Sequence, residues 1–243
     1  MPDLFTIGNL FAGYFAVSAV LAGLFDRAAI AIVVGFVLDS LDGSVARLVR
    51  TPSRIGVQLD SLADVVTFGI APAILALAWG AWPASATDPV WGAHLRRLAW
   101  IASFAFVAAG TLRLARFNVM STAHAPAAPT TRREAFIGMP IPVAGLCVAI
   151  VLHLIKAPQR GWPYSAAGLV YLFTLAGLMV SRIPFPHFRH ILSSPRHPHL
   201  LMLVLALLLP ALYFYSEIVL FGLLGLYLSS VVLYNVRRRH GTG

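Results

Sequence analysis

The sequence predicts an all-α integral membrane protein, a polytopic bundle of about eight transmembrane helices. Of its 243 residues, 59% are hydrophobic and 11% are charged, and the mean hydropathy is +0.82. Soluble domains usually carry about 25% charged residues. Apolar runs of roughly 20 residues, the length that crosses a bilayer as a helix, recur along the chain. The composition therefore excludes a soluble domain and predicts a single membrane domain over residues 1–243.

Eight apolar segments, separated by polar or proline- and glycine-containing breaks, define the predicted spans. They are 5–25, 28–47, 56–80, 97–115, 136–156, 163–181, 200–214 and 217–235. The last two are the hardest to separate, because only the short segment from Tyr213 to Glu217 divides them. The N-terminus lacks the basic region of a signal peptide, so the first span is predicted to be retained.

Basic residues are distributed unevenly between the two sides of this bundle. With a cytoplasmic N-terminus, 13 of them fall on the cytoplasmic side: Arg47, Arg50, Arg54, Arg113, Arg116, Arg132, Arg133, Arg182, Arg189, Arg196, Arg237, Arg238 and Arg239. The other side has five: Arg27, Arg96, Arg97, Lys156 and Arg160. Because Lys and Arg concentrate in cytoplasmic loops, we expect an inner-membrane protein with both termini in the cytoplasm. The net charge of +9 then matches anionic lipid headgroups, and no nucleic-acid partner is predicted.

Four of the nine acidic residues lie close together inside apolar sequence. Asp39, Asp42, Asp60 and Asp64 follow the pattern D-x-x-D-G-x-x-A-R-x8-G-x3-D-x3-D. A carboxylate at the centre of a spanning helix costs about 2.5–3.5 kcal/mol on insertion scales. Four of them therefore indicate a bound cation or a water-filled cavity.

The spacing of these aspartates places them in pairs on helix faces. Asp39 and Asp42 are three residues apart, and Asp60 and Asp64 are four apart, so each pair projects from one face of its helix. The break around Pro52 predicts a helical hairpin that brings the two pairs together. A set of oxygen ligands favours a hard divalent cation such as Mg²⁺ or Mn²⁺ over zinc.

Gly43 and Arg47 add phosphate-binding features beside the aspartates. Gly43 directly follows the second aspartate, where a missing side chain lets a ligand approach the backbone. Arg47, one helical turn further, carries a planar donor suited to phosphate oxygens. The hairpin is therefore predicted to bind a metal next to a phosphate.

This pattern resembles the signature of the CDP-alcohol phosphatidyltransferase family, and every position of the motif is filled. The resemblance implies transfer of a phosphatidyl group from a CDP-linked lipid to an alcohol, with release of CMP. It implies that Asp39, Asp42, Asp60 and Asp64 hold two divalent cations, Mg²⁺ or Mn²⁺, and that Asp64 is the catalytic base. It also implies a homodimer.

The other motif positions receive roles from the same resemblance. Gly43, Ala46 and Arg47 correspond to CDP-binding positions, and Gly56 to a helix–helix contact that lets the second aspartate pair close in. Asn9 is polar inside the apolar first span, so it is predicted either to line the nucleotide pocket or to form an interhelical hydrogen bond.

Three further strings, at 6–13, 113–118 and 136–142, resemble those of serine-accepting members of this family. The resemblance covers roughly residues 5–145, with Met139 at a position where leucine is common; the additional helices of 146–243 match only in hydrophobicity. It implies CDP-diacylglycerol and L-serine as substrates and phosphatidylserine as product, with membrane lipids as surroundings.

Arg113, Arg116 and Asn118 are the candidate acceptor-binding residues. The two arginines are three apart and could hold a carboxylate or phosphate bidentately, and Asn118 adds a neutral donor and acceptor. The alternative is that both arginines extend to lipid phosphates at the membrane surface.

Two other functions remain open. The same reaction could use choline, glycerol phosphate or inositol phosphate as acceptor, or an archaeal lipid as donor. A cation transporter would also place carboxylates in the membrane, but it would not need Gly43 or Arg47 at these spacings.

Cysteine and histidine add little to the functional prediction. The single cysteine, Cys147, excludes an intrachain disulfide. His187, His190, His197 and His199 match no zinc-binding pattern, so that segment is predicted to lie on the lipid surface.

Overall fold

The computed structural model describes residues 2–49, 54–81, 92–123, 136–156, 161–185 and 215–240, most of them helical. In chain order the elements are α1 (Pro2–Leu21), α2 (Phe25–Val49), α3 (54–81), α4 (Gly92–Ala123), β1 (Phe136–Ile137), α5 (Ile141–Ile155), α6 (Trp162–Val180), β2 (Pro184–Phe185) and α7 (Ser216–His240). The predicted all-α membrane class is confirmed.

Five of the described helices are long and apolar enough to cross a membrane: α1, α3, α4, α6 and α7. Helix α2, with 25 residues, is also long enough to cross a membrane. It carries Asp39 and Asp42 in its second half and is therefore less apolar. Helix α5 is apolar and has 15 residues, about 22 Å, which is shorter than a bilayer core of about 30 Å. The predicted span 200–214 lies outside the described residues, so the count of eight stays a prediction.

Helix α1 ends two residues before Gly23, earlier than the predicted boundary at residue 25. Gly23 has a φ of +74°, and its N–H donates to the Val20 carbonyl at 2.9 Å. The Leu24 N–H donates to the Ala19 carbonyl at 2.8 Å. These two bonds form a Schellman motif, in which glycine takes the left-handed conformation that ends the helix.

The predicted span 136–156 is wrong at its start. Residues Phe136–Ile137 form strand β1, and helix α5 begins only at Ile141. Gly138 has a φ of +85° and Pro140 has an extended ψ of 139°, so neither continues a helix. Pro142 lies in the first turn of α5, where a backbone N–H would have no acceptor within the helix, so proline costs no hydrogen bond there.

Helix α3 is not a regular α-helix, although the sequence predicted a plain span. It contains in order α-helical Arg54–Asp64, π-helical Val65–Ile70, α-helical Ala71–Ala76 and π-helical Leu77–Ala81. Pro72 has no N–H to donate to the Phe68 carbonyl. The Ala71 N–H bonds to the Val66 carbonyl, five residues back. The first π-helical segment starts directly after Asp64.

The described residues fall into two units. The first lies within Met1–Pro129 and Met139–Ser181. In it, α1 packs along α2, α5 contacts α2, and α4 packs against α6. The π-helical segment that follows Asp64 contacts α1, α4 and α5.

The second unit lies within Thr130–Gly138 and Arg182–Gly243. Its two short strands pair antiparallel, with Phe136 opposite Phe185 and Ile137 opposite Pro184. Helix α7 contacts β2, and the Asn235 side chain donates to the Pro184 carbonyl at 3.1 Å. The prediction of a single membrane domain over the whole chain stays a prediction.

Helices α1 and α2 meet α3 at Thr67, which is fully buried. An added Cβ at Gly13 would lie 2.5 Å from Thr67 Oγ1 and 2.8 Å from its Cα. A Cβ at Gly35 would lie 2.5 Å from Thr67 Cγ2. The Thr67 hydroxyl donates to the Asn9 carbonyl at 2.8 Å. The two glycines therefore let α1 and α2 approach the helix that carries Asp60 and Asp64.

Candidate active site

Three carboxylates from two helices converge inside the first unit. Asp39 of α2 and Asp60 and Asp64 of α3 each offer an oxygen, and these oxygens all lie within 4.8 Å of one another. Among the described residues, this is the one group of three or more side chains that lie close enough to share a metal ion. The predicted hairpin thus brings Asp39 of the first aspartate pair close to both Asp60 and Asp64 of the second.

The cluster is a concentrated negative charge in a partly water-excluded place. Asp64 is 7% exposed, and Asp39 and Asp60 are half-buried. The charges of Asp39 and Asp60 both act on the Asp64 carboxylate. Like charges this close repel strongly where water is scarce, so the arrangement favours a bound cation between them.

Asn9 of α1 is hydrogen-bonded to the Asp64 carboxylate. Its Nδ2 donates to Asp64 Oδ1 at 3.2 Å, and Asn9 itself is fully buried. The bond from Thr67 to the Asn9 carbonyl holds this segment of α1 against α3. Of the two predicted roles for Asn9, the structure shows the interhelical hydrogen bond, and it ends on an aspartate of the cluster.

Asp42 is separate from the three-carboxylate group but electrostatically connected to it. It is 6% exposed and accepts a hydrogen bond from the Thr6 hydroxyl through Oδ2. Its charge acts on Asp39 and Asp60. Asp42 Oδ1 is buried and has no hydrogen-bond partner among the described residues. Asp42 therefore presents a buried oxygen next to the cluster.

The two candidate arginines have different surroundings. Arg113 of α4 is half-buried, and its charge acts favourably on the Asp64 carboxylate. Arg116, one turn further along α4, is exposed. Although their spacing predicted a shared role, Arg113 is the one of the two whose charge is found to act on Asp64.

Asn118, the third candidate acceptor residue, links α4 to α3. Its Nδ2 donates to Ser61 Oγ at 2.9 Å, and Ser61 is the neighbour of Asp60 in the chain. Asn118 is half-buried, so it lies at the edge of the site rather than in its centre.

The predicted CDP-binding residues follow Asp42 on the last turns of α2. The backbone at Gly43, Ala46 and Arg47 is helical. Their side chains lie outside the described part of the structure, and so does the segment with His187, His190, His197 and His199. The nucleotide-binding role stays a prediction, as does the helix contact at Gly56.

Comparison with known proteins identifies the fold family. The profile of the CDP-alcohol phosphatidyltransferase family matches residues 1–182, which include the aspartate cluster, Asn9 and Arg113. The chain belongs to this family.

Several relatives of this CDP-alcohol phosphatidyltransferase carry the same name. The CDP-diacylglycerol--serine O-phosphatidyltransferase of Helicobacter pylori is 32% identical over 196 residues, which are 78% of this chain and 73% of the relative. The protein of the same name from Bacillus subtilis is 35% identical over 189 residues, 78% of this chain and 91% of the relative. That of Saccharomyces cerevisiae is 34% identical over 209 residues, 83% of this chain and 64% of the relative.

CDP-alcohol phosphatidyltransferases are generally dependent on divalent metals, and the residues of this chain fit such ions. The donors at the cluster are carboxylate oxygens, the ligands that hard divalent cations prefer. The buried Oδ1 of Asp42 has no hydrogen-bond partner among the described residues, as expected for an oxygen that faces a ligand.

Three residues of this phosphatidyltransferase that contact the site were missed from the sequence: Thr6, Ser61 and Thr67. Thr6 donates to Asp42, Ser61 accepts from Asn118, and Thr67 holds Asn9. Threonine and serine are common in membrane helices, where their hydroxyls usually bond to their own backbone. The only available signal was that Thr6 lies three residues before Asn9, on the same face of α1.

Proposed function

We propose that this protein transfers the phosphatidyl group of CDP-diacylglycerol to the hydroxyl of L-serine, releasing CMP and forming phosphatidylserine. The observation that carries the proposal is the convergence of Asp39, Asp60 and Asp64 within 4.8 Å in an apolar bundle, beside the charge of Arg113. The cluster suits a diphosphate-containing donor, and Arg113 suits an acceptor that has a carboxylate. The names of the relatives agree with this reaction.

Two divalent cations, Mg²⁺ or Mn²⁺, are proposed for the site. Asp39, Asp60 and Asp64 would hold one of them, and Asp42, with its buried Oδ1, would contribute to the other. Bound there, such ions neutralise the diphosphate and stabilise both the attacking and the leaving oxygen.

Asp64 is proposed as the base that takes the proton of the serine hydroxyl. Its burial and its hydrogen bond from Asn9 fix the carboxylate in one orientation. A positioned base of this kind contributes about 10²–10⁴-fold to a rate. A carboxylate can hold a cation and accept a proton, but only through different lone pairs. By donating to Oδ1, Asn9 makes the surroundings of the two Asp64 oxygens different, so that each oxygen can take a separate role.

The donor nucleotide is proposed to bind on the turns of α2 that follow Asp42. Gly43, Ala46 and Arg47 occupy the family's CDP-binding positions in the sequence. Gly43 has no side chain to obstruct a ligand, and Arg47 carries a planar donor for phosphate oxygens. Asn9, which donates to Asp64 at the same site, would complete this pocket from α1.

An acceptor panel tests the function directly. Purified protein is supplied with CDP-diacylglycerol and, in turn, L-serine, choline, glycerol 3-phosphate and inositol phosphate, and CMP release is followed. We expect CMP release with serine and not with the other alcohols. CMP release with only a different alcohol would agree with the reaction of the family but would contradict serine as the acceptor. Movement of a cation without CMP release would support the transporter instead.

Removal of divalent metal is expected to stop the reaction. Excess chelator should abolish CMP release, because the charge of the diphosphate would then repel the incoming oxygen. Adding Mg²⁺ or Mn²⁺ back should restore it, and the recovered rate of the same sample serves as the control. Full activity in excess chelator would contradict the metal-assisted mechanism.

Replacing Arg113 with lysine should weaken serine binding selectively. Lysine keeps the charge but loses the planar fork, so a charged hydrogen bond of about 1.5–3 kcal/mol is lost. The KM for serine should rise roughly 10- to 100-fold, with little change in the KM for CDP-diacylglycerol. Arg116→Lys is the matched control, because Arg116 is exposed on the same helix. An equal rise for both substrates would assign Arg113 to the donor.

The active site is proposed to face the cytoplasm of a cell's inner membrane. The 13 basic residues on one side of the predicted bundle, against five on the other, support this orientation. A CDP-linked donor is also made where nucleotides are available.

Cysteine labelling checks the orientation. In intact cells, cysteines introduced at Ser53 and Thr130 should be protected from a membrane-impermeant thiol reagent, and one at Ser85 should be labelled. The native Cys147 is buried, so its background should be low. Permeabilised cells are the control, in which all three positions should react. The reverse pattern in intact cells would contradict the proposed orientation.

A homodimer is the proposed assembly, and it rests on the family resemblance alone. The mass of the purified protein without its detergent, from light scattering, should be twice the 26.2 kDa of one chain. A mass of one chain would contradict it.

A further inference from the structure

A cavity lies in the first unit, remote from the aspartate cluster. It has a volume of about 270 Å³ and lies between the ends of α3 and α5 and the first halves of α4 and α6. Trp79 of α3 lines it, and 15 residues of helix, about 20 Å, separate Trp79 from Asp64. The cavity is therefore not part of the site described above.

The wall of this cavity is almost entirely apolar, and one side opens to the surface of the unit. Leu152, Leu169 and Leu172 are buried in it, whereas Tyr164 and Gly168 on α6 are exposed. In a membrane-embedded protein the medium outside such an opening is lipid. An alkyl chain is thus the group that this space can accept without loss of hydration.

One buried polar group in the wall has no partner within the part of the chain that the structure describes. Trp79 is 8% exposed, and its Nε1 has no hydrogen-bond acceptor among the described residues. Another polar group of the wall is already satisfied, because Ser165 Oγ donates to the Gly80 carbonyl at 2.7 Å. A buried N–H without a partner is costly, so the cavity selects a guest with a single acceptor.

We propose that this cavity binds one acyl chain of a bilayer glycerophospholipid, with the Trp79 indole N–H donating to the ester carbonyl of that chain. An ester carbonyl lies at the head of a long alkyl chain, so one molecule satisfies both the apolar wall and the lone donor. Tryptophan is also enriched where bilayers change from hydrocarbon to headgroup, the level at which ester groups lie.

A comparison of ester and ether lipids tests the proposal on the unmodified protein. The protein in detergent micelles is titrated with dioleoylphosphatidylcholine and with its dialkyl ether analogue, which has no carbonyl. Bound lipid is counted by native mass spectrometry. We expect one retained lipid, held roughly three- to tenfold more tightly as the ester, the effect of one neutral hydrogen bond. Equal affinity for the two lipids would overturn the proposal.

Variants locate the bound lipid. Trp79→Phe should lower the affinity for the ester to that for the ether, because it removes only the donor. Gly168→Leu should reduce both, since a Cβ at Gly168 enters open space at the cavity. Gly177→Leu is the matched control on the same helix, outside the cavity wall and equally free of contacts. Equal loss in both leucine variants would indicate lipid bound around the protein and would overturn the proposal.

The active-site variant Asp64→Asn separates this lipid from the substrate. Lipid retention should be unchanged in it, because Asp64 lies about 20 Å away along α3. A loss of retained lipid in Asp64→Asn would place the lipid in the active site and would contradict the cavity assignment.

Discussion

Replacement of Asp64 with asparagine is expected to lower the rate of phosphatidyl transfer by about 10²–10⁴-fold, the contribution of a positioned base. Asparagine keeps the size of the side chain and can still bond to Asn9, but it has neither the charge nor the basicity of a carboxylate. The measurement is CMP release at saturating CDP-diacylglycerol and serine. Thermal unfolding of the same samples shows whether the protein remains folded.

Asp26→Asn is the matched control for this experiment. Asp26 lies at the start of α2 and pairs with His153 at 2.5 Å, well away from the cluster. Asparagine can preserve a hydrogen bond to that histidine, so transfer should continue at close to the normal rate. If Asp26→Asn lost as much activity as Asp64→Asn, the loss would reflect a general sensitivity to charge removal, and the catalytic role of Asp64 would be contradicted.

The variants of Asp39 and Asp60 are expected to respond to added metal differently from the variant of Asp64. Asp39→Asn and Asp60→Asn should lose activity that high Mg²⁺ or Mn²⁺ partly restores, because each removes one ligand from the three-carboxylate group. Asp64→Asn should not be restored by added metal, since it also loses the base. Recovery of Asp64→Asn at high metal concentration would show that its role is coordination alone.

Replacement of Gly13 with alanine is expected to cause the largest loss of stability. The new Cβ would lie 2.8 Å from the Cα of Thr67, so a helix must shift. Overpacking of this kind costs about 1–3 kcal/mol. The shift should also weaken the bond from Asn9 to Asp64, since Asn9 lies one turn before Gly13 on α1. Thermal unfolding and CMP release measure the two effects.

Gly177→Ala controls for the loss of glycine itself, because a Cβ there meets nothing within 4 Å. A Gly13→Ala protein as stable as Gly177→Ala would contradict the predicted clash. Gly35→Ala gives a sharper comparison. Its Cβ meets the Cγ2 of Thr67, which Thr67→Ser removes, so the double variant should recover part of the stability. Gly13→Ala should not recover, because serine retains the hydroxyl and backbone that it meets.

Much of the active site was predictable because its residues are unusual where they occur. A carboxylate in an apolar helix is rare, so Asp39, Asp42, Asp60 and Asp64 could be recognised without a structure. Helical spacing then predicted which of them share a face, and the hairpin that joins the pairs follows from the break around Pro52. Asn9 was noticed for the same reason, a polar group in an apolar span.

The assignments that went wrong or stayed open depend on backbone detail. The start of α5 was placed too early, because the apolar residues of 136–140 look helical until the positive φ of Gly138 is known. The wide turns of α3 were not expected, since Pro72 can equally kink a helix or lengthen a turn. Spacing alone also could not distinguish Arg113 from Arg116, because residues three apart can still differ in what lies beside them.

The sequence by itself determined the membrane class, most of the helices and the chemical character of the site. These are properties of composition and of spacing within one helix, which the 1.5 Å rise and 3.6-residue turn translate directly into geometry. Only the tertiary structure decided which carboxylates meet, that the charge of Arg113 acts on Asp64, and that Thr67 holds Asn9 in place. Those outcomes depend on how closely α1, α2 and α4 approach α3. That distance is set by small residues such as Gly13 and Gly35. No local sequence pattern reveals which residue of another helix they contact.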